Sequence, residues 1–122
     1  MADNKATAVA GRTNVGAHMT YEDMREWIVE AEKLGELRVV KGASWEEDIG
    51  LAAEVVLHDE AAPCIIFDDV PGCPPGFRML INFFAGQRKC MTMGFPPEFN
   101  KLELTDGVHA HMKSVESIPH KI

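Results

Sequence analysis

The sequence has no apolar run near the ~20 residues that a membrane-spanning helix needs, so a helical membrane protein is excluded. It has only three cysteines, Cys64, Cys73 and Cys90, an odd number with no C-x-x-C pair. That pattern argues against a disulfide framework and against a paired-cysteine metal site. Neither a G-x-G-x-x-G turn nor a P-loop occurs, and no nucleophile-elbow pattern is present. Residues 1–19 lack an apolar h-region, which excludes a secretory signal; being small and polar, they are expected to form a flexible leader. Unpaired thiols without such a signal suit the reducing cytoplasm.

Basic charge is scarce where a polyanion would need it. Residues 20–70 carry fourteen acids against four bases, a net of −10, while residues 71–122 carry six bases against four acids. An acidic half of this strength repels a phosphate backbone, so nucleic acid is not an expected partner. The economical reading of the acids is a pair of solvated helix faces.

What remains is an ordinary globular composition, 46% hydrophobic and 25% charged, in 122 residues, enough for one core. Thr20-Tyr21-Glu22-Asp23 resembles a capping box opening a helix. Met24, Trp27, Ile28, Ala31 and Leu34 follow at helical spacing, and Gly35 is placed to end it as a left-handed C-cap. Glu36–Val40 reads as a short strand, Leu37 and Val39 alternating with charge. Ser44, with Glu47 three residues on, predicts a second helix over Trp45–His58 with an apolar stripe of Ile49, Ala52, Ala53, Val56 and Leu57. Gly50 inside it implies a close helix contact or a late start. Trp27 and Trp45 both read as core or core-edge residues.

Pro63–Phe67 is a continuous apolar run, as expected of a strand covered on both faces. A Pro/Gly loop over residues 68–76 leads to a further strand, Arg78–Phe83. A short helix is expected over Gly86–Met93, and Pro97 suits the first turn of a last helical or extended segment, residues 96–122. Phe99, Leu102, Leu104, Val108 and Met112 form no clean stripe there, and Gly107 interrupts them. The expected order is helix, strand, helix, strand, strand, helix, helix: an α/β domain over residues 20–95 with a small sheet of three or more strands packed by amphipathic helices.

Each candidate for chemistry has a competing structural reading. His109 and His111, with His120 nearby, raise a metal site, but on a helix residues two apart diverge by about 200° and cannot share an ion. Asp68-Asp69 at a strand end could meet a cation, although adjacent strand residues face opposite ways and an Asp there commonly caps the turn. Ala85-Gly86-Gln87-Arg88-Lys89 is the nearest approach to an anion-binding turn, and reads more simply as a surface turn. Cys90 follows two bases, but neighbours on a helix point apart, leaving buried or idle thiols. The residues alone thus describe an α/β domain without a visible active site.

Met24-Arg25-Glu26-Trp27-Ile28 running into Leu34-Gly35-Glu36-Leu37, then Asp48-Ile49-Gly50 and the Glu54-containing helix, resemble the start of UbiD-type decarboxylases. Pro63–Phe67, Val70-Pro71-Gly72, Pro75-Gly76, Arg78–Phe84, Gly86-Gln87-Arg88 and Gly94 continue the resemblance in order, over residues 22–95. It implies cytoplasmic, oligomeric enzymes that use prenylated FMN, a divalent metal (manganese or magnesium) and often potassium. Those enzymes remove or add CO2 on aromatic or α,β-unsaturated acids. Their catalytic Glu-Arg-Glu set and the ligands of metal and flavin phosphate lie in a downstream split-barrel domain, and no residue here matches them. The resemblance therefore assigns no catalytic, cofactor-binding or metal-binding residue to this chain. It implies an amino-terminal domain or small subunit completed by a catalytic chain or by further domains, in a homo- or hetero-oligomer. The alternative is a stand-alone protein-binding or regulatory module that kept the fold. Exposed apolar surface favours the first reading, since a missing neighbour leaves a patch uncovered.

Overall fold

The computed structural model describes residues 17–117 and Pro119, so most of the expected leader, and His120, lie outside the described residues. The order of elements is α1 (Met24–Lys33), β1 (Leu37–Lys41), α2 (Asp48–Leu57), β2 (Cys64–Asp68), β3 (Met79–Ile81), α3 (Gly86–Thr92) and α4 (Lys101–Ser114). This is the expected alternation of helices and strands. The mixed sheet has the order β1-β2-β3. β1 and β2 run parallel with Leu37 opposite Cys64, and β2 and β3 antiparallel with Phe67 opposite Met79. A parallel pair needs a crossover, which α2 supplies.

β2 is central, and its apolar run serves both faces of the sheet. Cys64 packs with Trp27 and Ala31 of α1 and Met91 of α3. On the opposite face Phe67 packs with Ala43, Ile49 and Val70. Two helical layers therefore sandwich the sheet, α2 on the Phe67 side and α1 with α3 on the Trp27 side. α4 packs outside α3 through a third cluster of Cys90, Phe95, Phe99 and Leu104.

The ends of α1 show how local chemistry sets its length. The cap is Asp23, not Thr20: one carboxylate oxygen accepts the amides of Arg25 and Glu26 at 2.8 and 3.0 Å. Glu26 in turn accepts the amide of Glu22, the residue before the cap, at 2.8 Å, so the cap forms three residues later than expected. The helix ends at Gly35, φ +73°, where the amides of Gly35 and Glu36 reach the carbonyls of Glu32 and Ala31. That double closure satisfies the last carbonyls as a Schellman motif does.

α2 starts at Asp48, three residues after the expected Trp45. Ser44 does accept the amides of Glu47 and Asp48, but Asp48, not Glu47, reaches back to the Ser44 amide at 2.8 Å. Residues 45–47 form a turn, which leaves Trp45 60% exposed rather than at the core edge. Gly50 is thus near the helix start, and nothing lies within 4 Å of where its Cβ would be, so no close contact requires it. Ile49 and Val56 are buried as expected, whereas Leu57 is exposed together with Leu51 and Val55. Val39, expected to face the core beside Leu37, is also exposed, because β1 is an edge strand whose far end no helix covers.

α4 corrects two further expectations. Its N-cap is Asn100, with a full capping box to Glu103, and Pro97 lies before it in a turn closed by Phe99 on Pro96. The helix also runs unbroken through Gly107. A Cβ there would stand 2.9 Å from the Phe95 ring, so the glycine admits the ring instead of ending the helix. The described start of the chain is tied to the same corner: His18 donates its amide to the carbonyl of Gly94 at 2.7 Å.

Candidate functional site: a buried ion pair beneath an exposed aromatic corner

The feature that departs most from an ordinary core is Arg88. It is 1% exposed, yet carries a full charge. Its Nη1 donates to Glu36 Oε2 at 2.6 Å, and its Nη2 donates to the carbonyls of Ala62 and Asn82 at 2.9 and 3.0 Å. Its Nε is buried without a partner among the described residues. The guanidinium thereby ties the entry of β1, the entry of β2 and the loop after β3 to one point.

Asn82 occupies that loop with φ +55°, a region costly for residues other than glycine. Its side-chain amide donates to the carbonyls of Ala62 and Pro63 at 3.3 and 3.2 Å, while its own carbonyl is held by Arg88. The strained turn is therefore fixed from both sides. It presents Phe83 and Phe84, which remain 43% and 49% exposed. Phe83 meets Trp27 edge-on at 6.2 Å and Phe84 at 6.1 Å, which joins both rings into one corner against Trp27.

This geometry changes the reading of the Ala85–Lys89 turn. Arg88 points inward instead of lying on a surface turn, and the Glu36 carboxylate comes within 3.5 Å of the Cβ position of Gly86. That carboxylate and two backbone carbonyls take up the Arg88 guanidinium, so the turn's arginine is not directed at an outside anion. Asp68 ends β2 and accepts the amide of Asp69, whose φ is +49°; Lys41 lies 3.9 Å from Asp69 with both groups exposed. The Asp68 carboxylate therefore serves the turn, and that of Asp69 faces the end of β1.

His109 and His111 are exposed on α4, where helical geometry points them apart. Among the described residues no group of three or more His, Cys, Asp or Glu could hold a metal ion. Burial pushes the thiols of Cys64 and Cys90 above their ordinary range, and each donates to a carbonyl, that of Glu36 and Phe99 respectively. Such thiols are poor nucleophiles. The arrangement can hold and present a surface.

No family model and no curated protein matches the chain. Solved structures similar to it include the vanillic acid decarboxylase of Sedimentibacter hydroxybenzoicus (ShVdcCD) in open form with truncated ShVdcD. That match has a TM-score of 0.62 and 22% identity over 70% of this chain and 18% of that chain. The same enzyme in open form gives a TM-score of 0.59 at 23% identity, covering 66% and 18%. The chain shares its fold with a part of those decarboxylase chains. It spans less than a fifth of the chains it resembles, 18% in both cases. No helix among the described residues is long and apolar enough to cross a membrane.

Proposed function

We propose that the chain is the amino-terminal domain or a small subunit of a UbiD-type carboxy-lyase, a scaffold and interface piece of an assembly. The assembly decarboxylates or carboxylates an aromatic or α,β-unsaturated acid, with the reacting residues on another chain or domain. The observation that carries this reading is the aromatic corner. Two adjacent, mutually contacting aromatic rings left nearly half exposed form an apolar patch of the kind that a neighbouring domain or chain covers. The fold likeness to part of a decarboxylase and the ordered run of residues from Met24 to Gly94 both support a decarboxylase neighbour.

Prenylated FMN, manganese or magnesium, and potassium belong in this proposal to the catalytic part. This placement is supported by Arg88, the arginine of the Ala85–Lys89 turn, being already taken up by Glu36 and two carbonyls of its own chain. What this chain supplies is a wall, with Phe83 and Phe84 excluding water from the cleft they face.

The test is co-expression with a UbiD-type catalytic polypeptide that lacks its own amino-terminal domain, in cells that make prenylated FMN. The expected result is a stoichiometric complex that decarboxylates an aromatic acid faster than the catalytic polypeptide alone. Flavin absorbance retained by this chain purified by itself, or failure of the two to associate, would overturn the reading. Failure to associate would favour a stand-alone module.

A further inference from the structure

Two apolar surfaces on opposite faces of the sheet carry opposite charge. The first is a groove of about 610 Å³ between α3 and α4, floored by Met93, Leu104, Val108 and Met112 and rimmed by Lys89 and Lys101. The second is the outer ridge of α2, where Leu51 and Val55 stand one turn apart, 67% and 73% exposed, between Asp48 and Glu54. Residues 42–59, which include this ridge, contain five acids and no lysine or arginine.

We infer that these surfaces are the two halves of one contact, in which the α2 ridge of one copy seats in the α3–α4 groove of a second copy. Each surface offers what the other needs. The groove presents apolar floor and lysine ammonium groups, and the ridge presents two branched side chains bordered by carboxylates. Lysine stems can cover the ridge while their charged ends meet the acids. Opposed local charge sets the register even though copies of net charge −7 repel at long range.

The charges on the groove side are available for this exchange. Lys101 bonds Glu60 of its own chain at 2.9 Å, but both side chains are more than 70% exposed, and pairs of this kind are held weakly. The two surfaces cannot meet within one molecule, because α2 packs on the Phe67 side of the sheet and α3 on the Trp27 side. The contact is therefore head-to-tail. Each docking leaves one ridge and one groove open, and because these lie on opposite faces of the sheet two copies do not close on each other, so the association grows past the dimer, into rings of three or more copies or open chains.

The experiment is sedimentation velocity on the full chain and on two variants, Lys89→Glu/Lys101→Glu in the groove and Leu51→Ser/Val55→Ser on the ridge. For the wild type, the weight-average sedimentation coefficient is expected to rise past the dimer value as concentration approaches about 1 mM, the range of weak association. Each variant alone should lose every species above monomer. Mixed together they should form a one-to-one dimer and nothing larger, since one retains its ridge and the other its groove. Circular dichroism checks that both variants keep their helices, and Lys101→Glu alone replaces the double change if Lys89, which is half-buried, proves structural. A wild type that stays monomeric, a dimer that grows no further, or variants that remain monomeric when mixed would each overturn the inference. None of these outcomes bears on the decarboxylase reading, which rests on the corner at Phe83 and Phe84.

Discussion

Arg88 and Glu36 meet at 2.6 Å although 52 positions separate them, and the pair is buried on the arginine side and one-quarter exposed on the glutamate side. The asymmetry decides which partner matters more. Glu36 can return to water if its partner is lost, whereas Arg88 cannot. The pair is also embedded, because the same guanidinium holds the carbonyls of Ala62 and Asn82. A hydrophobic replacement for the ion pair would leave both carbonyls without a donor.

Removing either partner should therefore be costly. Breaking a buried ion pair from one side costs about 3–5 kcal/mol, and Arg88→Met is expected in that range. Glu36→Gln keeps an acceptor oxygen and should cost about 1–3 kcal/mol, the range for weakening a buried bond. The double variant should be less destabilised than the sum, with a coupling of about 0.5–3 kcal/mol. Urea unfolding followed by tryptophan fluorescence measures all three. Additive losses would mean that the two residues do not act as a pair.

Two helical glycines should respond to alanine with opposite sign. Gly50 has nothing within 4 Å of its Cβ position and no positive φ, so Gly50→Ala should gain up to about 1 kcal/mol from helix propensity. Gly107→Ala meets the Phe95 ring at 2.9 Å, and that ring is buried and stacked on Phe99 at 6.2 Å. Overpacking of about 1–3 kcal/mol then exceeds the same gain. Thermal midpoints should move up for the first and down for the second, and Phe95→Leu should recover part of the loss at Gly107.

These sites mark where the sequence was readable and where it was not. A continuous apolar run located β2 as a strand covered on both faces, and helical spacing located the buried Trp27 and Ala31 of α1, although Met24 at the head of the same stripe is exposed. Gly35 was legible because a left-handed C-cap is a local demand. Caps were misplaced by up to three residues, since Asp23 and Asp48 compete with nearby Thr20 and Glu47 for the same amides. Trp45 and Leu57 were assigned to the interior on hydrophobicity alone, which cannot distinguish a core from a surface awaiting a partner. Gly107 looked like a break because its reason, the Phe95 ring, is twelve residues away in sequence. Arg88 carried no signal at all: nothing local shows that an arginine beside Lys89 turns inward to meet Glu36.

The buried thiols predict an alkaline response. The folded chain holds the protons of Cys64 and Cys90 above the ordinary thiol value of 9.0, because burial disfavours the thiolate. The unfolded chain releases them near that value and so binds fewer protons there. Stability from these groups is therefore fully present below pH 9.0 and is lost as pH rises through the folded values. Unfolding midpoints measured from pH 8 to about 10.5 should fall more steeply in the wild type than in Cys64→Ala/Cys90→Ala. In the native protein a thiol reagent should modify Cys73, which is half-exposed, before either of the others.

Phe83 and Phe84 allow stability to be separated from assembly. Phe83 touches Trp27, so Phe83→Ser should cost about 1 kcal/mol through the lost edge-on contact. Phe84 meets only Phe83 among the described aromatic contacts and is half-exposed, so Phe84→Ser should leave the chain within about 0.5 kcal/mol of wild type. If the corner is a covered surface, the same Phe84 change should weaken the complex with a catalytic polypeptide by about 2 kcal/mol, or roughly 30-fold in Kd. Titration calorimetry of the complex beside thermal unfolding of the isolated chain gives both quantities. A Phe84→Ser chain that binds as tightly as wild type would show that the rings are exposed for some other reason, and would move the interface to another face of the domain.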